Sequence, residues 1–281
     1  MCGIVGVFKR GFHQPDLNKL AIACKLLEHR GPDDEGFFIE KSVAFGHRRL
    51  SIIDILSGHQ PMSSASGRYH IVYNGEVYNF REIRAKLEKE GVKFKTHSDT
   101  EVILEAYVRY GEDCLRMFNG MFAFAIYDRK EQTLFLARDR LGVKPLFYYQ
   151  DSSGFYFASE IPALLELAPV TQVLNPEAID LYLSFRYINA PLTAIEDVFR
   201  FLPGHYMVVK DGRIDYYEEY WDVNINEPLT IPYEEALERF RALFDNAVRF
   251  RLIGDVPVGA FLSRGVNSSL VVASYTDILK T

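Results

Sequence analysis

The chain has 281 residues, of which 48% are hydrophobic and 25% are charged, a composition typical of a globular protein with a substantial core. This length fits one large domain or two ordinary ones. The formal net charge is −6, and no basic patch is visible among the 32 basic residues, which sets nucleic acid aside as a partner.

The cysteines and the apolar segments indicate the compartment. Cys2, Cys24 and Cys114 are too few and too scattered for a disulfide framework or a metal cluster, so we expect no metal site. No run approaches 18 apolar residues, and the N-terminus lacks a basic stretch followed by an apolar segment. We therefore expect a cytoplasmic protein without membrane contact.

The N-terminal segment MCGIVGVF allows two interpretations. The run IVGVF predicts a buried strand, with Cys2 as a small apolar residue at its start. Alternatively, loss of Met1 would leave Cys2 with both a thiol and a free α-amine, a combination that can act as nucleophile and base.

The next elements alternate helices and strands. Helical spacing predicts an amphipathic helix over DLNKLAIACKLLEH, with the apolar stripe Leu17, Leu20, Ala21, Cys24 and Leu27. SVAFGHRRLSIID and RYHIVYNGEVYNF predict strands, the second interrupted by a hairpin turn at Asn74-Gly75.

Two more helices and a group of strands follow. FREIRAKLEKEG predicts a helix that ends at Gly91, and HSDTEVILEAYVRYG predicts one that begins with a capping box from Ser98 to Glu101. MFAFAIYDRKEQTLFLARDRLGVKPLFYYQDSSGFYFASE predicts short aromatic strands separated by turns. This order indicates an α+β layered fold.

A change in composition near YWDVNINEPLTIPYEE predicts a linker over residues 214–232, between a first domain of residues 2–213 and a second of residues 233–281. The second domain starts with an apolar helical stripe formed by Ala236, Leu237, Phe240, Leu243, Phe244, Ala247 and Val248. DVPVGAFLSRGVNSSLVVASYTDILKT then predicts a strand, a loop and a helix. One βα unit cannot bury its own faces, so we expect only the opening of a larger domain.

Six motifs occur in a fixed order: MCGIVG, EHRGPDDEG, GHRRLSIID, YNGEVYN, HSDTE and ARDRLGVKPLFYY. Together they resemble the class II glutamine amidotransferase domain of glutamine-hydrolysing asparagine synthetase. The resemblance runs from Cys2 to at least Trp221 and resumes at VPVGAFLS. It implies a four-layer αββα N-terminal-nucleophile hydrolase sandwich, followed by the start of an α/β ATP pyrophosphatase-type domain.

The resemblance also implies site residues for glutamine hydrolysis, a reaction without a cofactor. Cys2 would be the nucleophile, with its own amine as base, and the Asn74 side chain and Gly75 N–H would hold the oxyanion. The remaining glutamine-binding positions would hold the substrate's α-carboxylate (Arg49), meet its ammonium group (Glu76 and Asp99) or line the pocket with backbone (Leu50 and Ile52).

Each of these residues also has a simple structural interpretation. Asn74-Gly75 alone indicates a hairpin turn, and Arg49 and Glu76 alone indicate solvated strand positions. Asp99 at a helix start compensates the helix dipole. Asp139 and Lys144 alone indicate surface charges, whereas the resemblance implies only that their loop shapes the site. No histidine is assigned to catalysis.

In the resembled synthetases the second domain binds ATP through a loop that reads SGG-x-DS. The matching candidate ATP-binding residues here are Leu262, Ser263, Gly265, Ser268 and Ser269. The loop is degenerate, because Arg264 replaces a glycine and Asn267 replaces the aspartate that helps hold Mg²⁺.

The resemblance implies a ligase that uses ATP and Mg²⁺ to amidate aspartate with glutamine nitrogen in asparagine biosynthesis. Because the chain ends before most of the synthetase domain, we expect glutaminase activity without synthetase activity unless a partner supplies the missing part. An amidotransferase of a specialised pathway, such as β-lactam or cell-surface sugar modification, stays open. So do a non-catalytic or decayed amidotransferase-fold protein, an unrelated hydrolase and a homodimer.

Overall fold

The computed structural model describes residues 1–225 and 228–280. Asn226 and Glu227 of the predicted linker, and Thr281 at the end of the predicted second domain, lie outside the described residues. The chain forms two compact units. The first contains residues 1–51 and 56–222, and the second contains residues 52–55 and the residues after 222.

The strands all belong to the first unit. Within the described residues they are β1 (Gly3–Lys9), β2 (Asp34–Glu40), β3 (Val43–Arg49), β4 (Met62–Ser63), β5 (Tyr69–Val77), β6 (Gly120–Asp128), β7 (Thr133–Arg138), β8 (Phe147–Asp151), β9 (Gly154–Ala158), β10 (Phe199–Arg200), β11 (His205–Lys210) and β12 (Arg213–Glu219). They form two antiparallel sheets, with the orders β10-β8-β9-β1-β3-β2 and β12-β11-β7-β6-β5-β4.

The helices cover both units. Within the described residues they are α1 (Leu17–Lys25), α2 (Phe80–Lys89), α3 (Asp99–Tyr110), α4 (Cys114–Met117), α5 (Ile161–Leu167), α6 (Pro176–Phe185), α7 (Tyr233–Phe250) and α8 (Val266–Lys280). Over the described ranges, no helix combines the length and apolar character needed to cross a membrane.

The two sheets pack face to face around a buried core. Phe8 and Phe45 of the first sheet and Val72 and Leu136 of the second belong to this inter-sheet core. Helices α1 and α5 bury their apolar faces against the other side of the first sheet. On the second sheet, Tyr107 of α3 stacks on Phe135 of β7. The predicted αββα layering of an α+β fold is therefore confirmed.

Most predicted elements of the first unit form where expected, with two corrections. Ser98 caps α3 by accepting a hydrogen bond from the Glu101 N–H. In α1, Leu17 and Ala21 are exposed, because the buried face consists of Leu20, Ala23 and Cys24, and Leu27 is buried just after the helix ends. The predicted turn at Asn74-Gly75 is wrong, since β5 runs through both residues in unbroken pairing with β6.

Among its described residues, the second unit contains two helices and no strand. Helix α7 forms at the predicted stripe, and α8 follows. The strand predicted within DVPVGAF does not form, because a strand needs a hydrogen-bonding partner and no other strand occurs in the described part of this unit. Residues 213–219, most of which the sequence interpretation assigned to the linker, form β12.

Candidate active site

Strand alternation places several predicted glutaminase residues on the faces of the two sheets that point toward the core between them. Ile4 of β1, Phe45 of β3 and Val72 of β5 belong to the inter-sheet core. Side chains alternate along a strand, so residues an even number of positions away share this face. They are Cys2, Arg49, Asn74 and Glu76.

The Cys2 thiol lies against the backbone of Leu50. The Leu50 N–H donates to Cys2 Sγ at 3.4 Å, and the thiol lies 3.7 Å from the Leu50 carbonyl oxygen. Burial raises the pKa of the Cys2 thiol, while the Leu50 N–H and the terminal ammonium oppose that rise. Cys24 and Cys114 are fully buried in the core, and burial raises the pKa of Cys24 to about 12.

The terminal amine lies among charged groups of the site. In this structure it belongs to Met1, and loss of Met1 transfers it to Cys2. Burial lowers the pKa of the amine, the charges of Lys144 and Arg30 lower it further, and Cys2 and Glu76 raise it. An amine with a lowered pKa is neutral at a lower pH, which a general base requires.

Asn74 carries a buried amide with no partner. Its side chain is 0% exposed, and neither Nδ2 nor Oδ1 forms a hydrogen bond within the described part of the chain. A buried polar group without a hydrogen bond costs about 1–3 kcal/mol. Asn74 faces the same inter-sheet space as the Cys2 thiol, and its amide is therefore available to form hydrogen bonds with a bound substrate.

The Gly75 N–H points to the open edge of β5. Along a strand, the N–H groups of every second residue point to the same edge. The N–H groups two residues before and after Gly75 both donate there, from Tyr73 to Gln60 Oε1 at 2.7 Å and from Val77 to Asp99 Oδ2 at 3.1 Å. A Cβ at Gly75 would lie 2.3 Å from the Met121 carbonyl oxygen. Glycine is therefore required for β5 to pair with β6.

Two carboxylates and one guanidinium act electrostatically on the thiol or on the terminal amine. Asp99 is buried and accepts a hydrogen bond from the Tyr73 hydroxyl at 2.8 Å. Burial raises the pKa of Asp99, and its hydrogen bonds oppose that rise. The charges of Asp99 and Arg49 both act on Cys2, and that of Glu76 acts on the terminal amine. This set is complementary to the carboxylate and ammonium of an α-amino acid.

Ile52, the last predicted glutamine-binding residue, belongs to the second unit. Its carbonyl oxygen accepts a hydrogen bond from the Asp255 N–H at 2.8 Å.

Lys144 and Asp139 are buried, so their interpretation as surface charges is wrong. Lys144 is 4% exposed, and burial lowers its pKa, while Glu76 and Cys2 raise it. The carboxylate of Asp139 accepts hydrogen bonds from four backbone N–H groups, which holds the loop that carries Lys144. An aspartate two or three residues before a loop glycine is a signal for such backbone binding.

Arg30 and His47 also contact the site, although sequence reasoning gave neither a role. Arg30 Nε donates to the Cys2 carbonyl oxygen at 3.0 Å. His47 Nε2 lies 3.0 Å from the Tyr73 carbonyl oxygen, and burial lowers the pKa of His47 to about 4. The position of Arg30 inside the EHRGPDDEG motif was the only sequence signal for its role.

The polar groups of the candidate ATP loop at the start of α8 form hydrogen bonds with one another. Ser268 Oγ accepts from the Ser263 N–H at 3.3 Å and donates to the Gly265 carbonyl at 3.0 Å. Ser269 Oγ donates to the same carbonyl at 2.9 Å. Arg264 has φ of 63°, in the left-handed region that favours glycine.

This loop also lacks a carboxylate for a metal ion. Asn267 stands at the position of the family's aspartate, and Leu262 before the loop is exposed. In residues 1–225 and 228–280, no group of three or more His, Cys, Asp or Glu residues could hold a metal. The residues present therefore do not fit an ATP–Mg²⁺ site.

Comparison with known proteins separates the chain into two matches. The family model described as "Glutamine amidotransferase domain" matches residues 1–221, and the model described as "Asparagine synthase" matches residues 239–280. Asparagine synthetase [glutamine-hydrolyzing] 1 of Bacillus subtilis is 38% identical over 277 residues, which cover 97% of this chain and 43% of that protein. Amidase chry2 of Gibberella zeae is 34% identical over an alignment that covers 100% of this chain and 43% of that protein.

A solved structure supports the fold. Glutamine phosphoribosylpyrophosphate amidotransferase from B. subtilis, complexed with ADP and GMP, superposes with a TM-score of 0.58 and 18% identity, covering 98% of this chain and 64% of that chain. The chain spans about half the length of the curated relatives it matches. Asparagine synthetases match nearly all of this chain, and the first family model covers most of it. The chain therefore belongs to the glutamine amidotransferase domain family.

Proposed function

We propose that this chain hydrolyses glutamine to glutamate and ammonia at Cys2, after Met1 has been removed. The observation that carries the proposal is the fully buried, unpartnered amide of Asn74 on the strand face shared with the thiol. A structural asparagine would satisfy its own hydrogen bonds, whereas an oxyanion hole must keep a donor free.

In the proposed first step, the free amine of Cys2 takes the proton of the thiol, and the thiolate attacks the side-chain carbonyl carbon of glutamine. The oxygen becomes an oxyanion, held by Asn74 Nδ2–H and the Gly75 N–H. Collapse of this intermediate breaks the C–N bond, and the ammonium of Cys2 returns its proton to the leaving nitrogen. Ammonia departs and a γ-glutamyl thioester remains.

In the second step the same amine removes a proton from water, which attacks the thioester. The second oxyanion collapses, the C–S bond breaks, and the proton returns to sulfur. Glutamate is released and the free thiol is restored. Burial lowers the pKa of the terminal amine, which favours this role because a larger share of the base is then neutral at a given pH.

Glutamine recognition is proposed to use the charges around the thiol. Arg49 would pair with the substrate α-carboxylate, while Asp99 and Glu76 would face its ammonium group. Asp99 is supported in this role because its hydrogen bonds from Tyr73 and Val77 anchor it beside β5. The Leu50 backbone would line the pocket next to the scissile amide.

We also propose that aspartate is the final nitrogen acceptor, as the names of the matched synthetases imply, with ATP as the second substrate of that reaction. The 281-residue chain alone is expected to lack this half, since the loop of residues 263–269 fits neither phosphate nor Mg²⁺. Three free cysteines support the proposed cytoplasmic location.

The test is glutamate release from glutamine by the purified chain. We expect no release from Cys2→Ala, and a fall of about 10²–10³-fold in kcat for Asn74→Ala. Asn175→Ala is the matched control, because Asn175 caps α6 and should cost stability without lowering kcat. Full turnover by Cys2→Ala contradicts the proposal, and asparagine formation with added ATP and aspartate contradicts its second half.

A further inference from the structure

The backbone that carries Cys2 is held by the segment that follows β9. Ser159 is fully buried, its Oγ accepts a hydrogen bond from the Ile4 N–H at 3.0 Å, and its own N–H donates to the Ile4 carbonyl at 2.8 Å. The start of β1 is thereby fixed to Ser159. Glu160 is the next residue of this segment.

Glu160 reaches Cys2 through Arg30. Arg30 Nη1 donates to Glu160 Oε1 at 2.8 Å, and Arg30 Nε donates to the Cys2 carbonyl oxygen at 3.0 Å. The Arg30 side chain is 8% exposed and that of Glu160 is 28% exposed. The guanidinium therefore links a carboxylate to the peptide group of the nucleophile, in a partly desolvated place where charged hydrogen bonds are strong.

The guanidinium has few other polar contacts. Its Nη2 is buried without a hydrogen-bond partner, and Glu160 is its one ion-pair partner, in both cases counting the described residues. Partial burial opposes ionisation of Glu160, but hydrogen bonds from Arg30 and His29 outweigh it and lower the pKa of this carboxyl. Glu160 is therefore charged at pH 7 and balances the buried guanidinium.

We infer that Glu160 is a positioning residue for the Cys2 nucleophile, acting through Arg30. The inference rests on the proposed glutaminase function. The first residues of a chain fray unless they are tied down. Fixing the Cys2 carbonyl restricts rotation of the peptide group that follows the nucleophile, and with it the directions of the thiol and the amine on the same Cα. A displacement of about 1 Å at such a site can cost about 10²-fold in rate.

Removal of the carboxylate should impair turnover more than substrate binding. In Glu160→Ala the buried guanidinium loses its counter-charge and no longer holds the Cys2 carbonyl. We expect kcat for glutamine hydrolysis to fall by about 10–100-fold, with KM within about threefold of wild type. Glu160→Gln keeps a side-chain oxygen that accepts from Arg30 Nη1, so we expect it to retain kcat within about fivefold.

A second ion pair provides a matched control. Arg68 and Asp128 form a bidentate pair at 2.8 and 2.6 Å, with one partner buried and the other partly exposed, as in Arg30 and Glu160. Phe122 pairs with Gly75, and Asp128 lies six residues further along β6. The distance along the strand between Asp128 and Phe122 is therefore roughly 20 Å. Asp128→Ala should lower the thermal midpoint without lowering kcat.

The experiment measures kcat, KM, thermal midpoint and the rate of Cys2 labelling by 6-diazo-5-oxo-norleucine for these variants, and for Arg30→Met with and without Glu160→Ala. The inference requires slow labelling and low kcat in Glu160→Ala, recovery in Glu160→Gln, and no further loss when Glu160→Ala is added to Arg30→Met.

Wild-type kcat in Glu160→Ala would overturn the inference while leaving the proposed function standing. Equal loss of kcat in Asp128→Ala, or a multiplicative loss in the double variant, would also overturn it. If Glu160→Ala does not fold, an inactive but folded Glu160→Gln decides against the inference. A wild-type chain that releases no glutamate contradicts the proposed function itself, and the inference with it.

Discussion

Replacement of His47 by glutamine tests how the buried imidazole joins the two sheets beside Asn74. His47 is 1% exposed, and its Nε2 contacts the Tyr73 carbonyl, so Nε2 carries the proton and the ring is neutral. Burial lowers the pKa of His47 from 6.5 to about 4. Acid should therefore weaken the fold at this position.

The sign of the effect follows from proton linkage. Below pH 6.5 the unfolded chain binds a proton at His47 that the folded chain does not bind until the pH nears 4. The stability contribution is complete above pH 6.5 and declines as the pH falls. The lowered pKa corresponds to a loss of about 2 kcal/mol by pH 5 and about 3 kcal/mol at pH 4.

His47→Gln keeps an N–H at the position of Nε2 but does not titrate. Between about pH 7.5 and 5, we expect the unfolding free energy of wild type to fall by about 2 kcal/mol more than that of the variant. Urea denaturation followed by the fluorescence of Trp221, the single tryptophan, reports on the unit that contains His47. His13→Gln, at an exposed histidine, should behave as wild type. Parallel stability curves for wild type and His47→Gln would refute the reasoning.

Three further outcomes are expected. Gly75→Ala forces a Cβ against the Met121 carbonyl, so urea denaturation should show a loss of about 1–3 kcal/mol, whereas Gly259→Ala, in open space, should show none. Lys144→Met removes a charge that lowers the pKa of the terminal amine, so the acidic limb of the kcat/KM pH profile should move to higher pH, and an unmoved limb counts against this role. Arg264→Gly relieves a left-handed φ and should stabilise the second unit by up to about 1 kcal/mol, as measured by thermal denaturation; a loss of stability would contradict this explanation.

Local sequence signals predicted the elements whose stability is local. The cap at Ser98 depends on residues a few positions apart, and it appears in the structure. Helix α1 also forms where its apolar spacing predicts, although Ala23 takes the place of Leu17 and Ala21 on its buried face. Asn74-Gly75 shows the opposite case. The pair favours a turn by itself, but pairing of β5 with β6 extends the strand through it and aims the amide at the site.

The unpredicted parts depend on contacts that are distant in sequence. Arg30 meets Glu160 across 130 positions, which no local pattern reveals. Lys144 is buried because Asp139 binds the loop backbone, and a charge count along the sequence places both residues at the surface. The strand expected in DVPVGAF fails for a related reason, since an apolar run cannot form a strand without a partner.

Peptide mapping of the active chain after labelling with 6-diazo-5-oxo-norleucine tests the central claim most directly. We predict a single adduct per chain, on the thiol of a Cys2 that has become the first residue. An adduct on Cys24 or Cys114, or full glutaminase activity in a chain that still begins with Met1, would contradict the account.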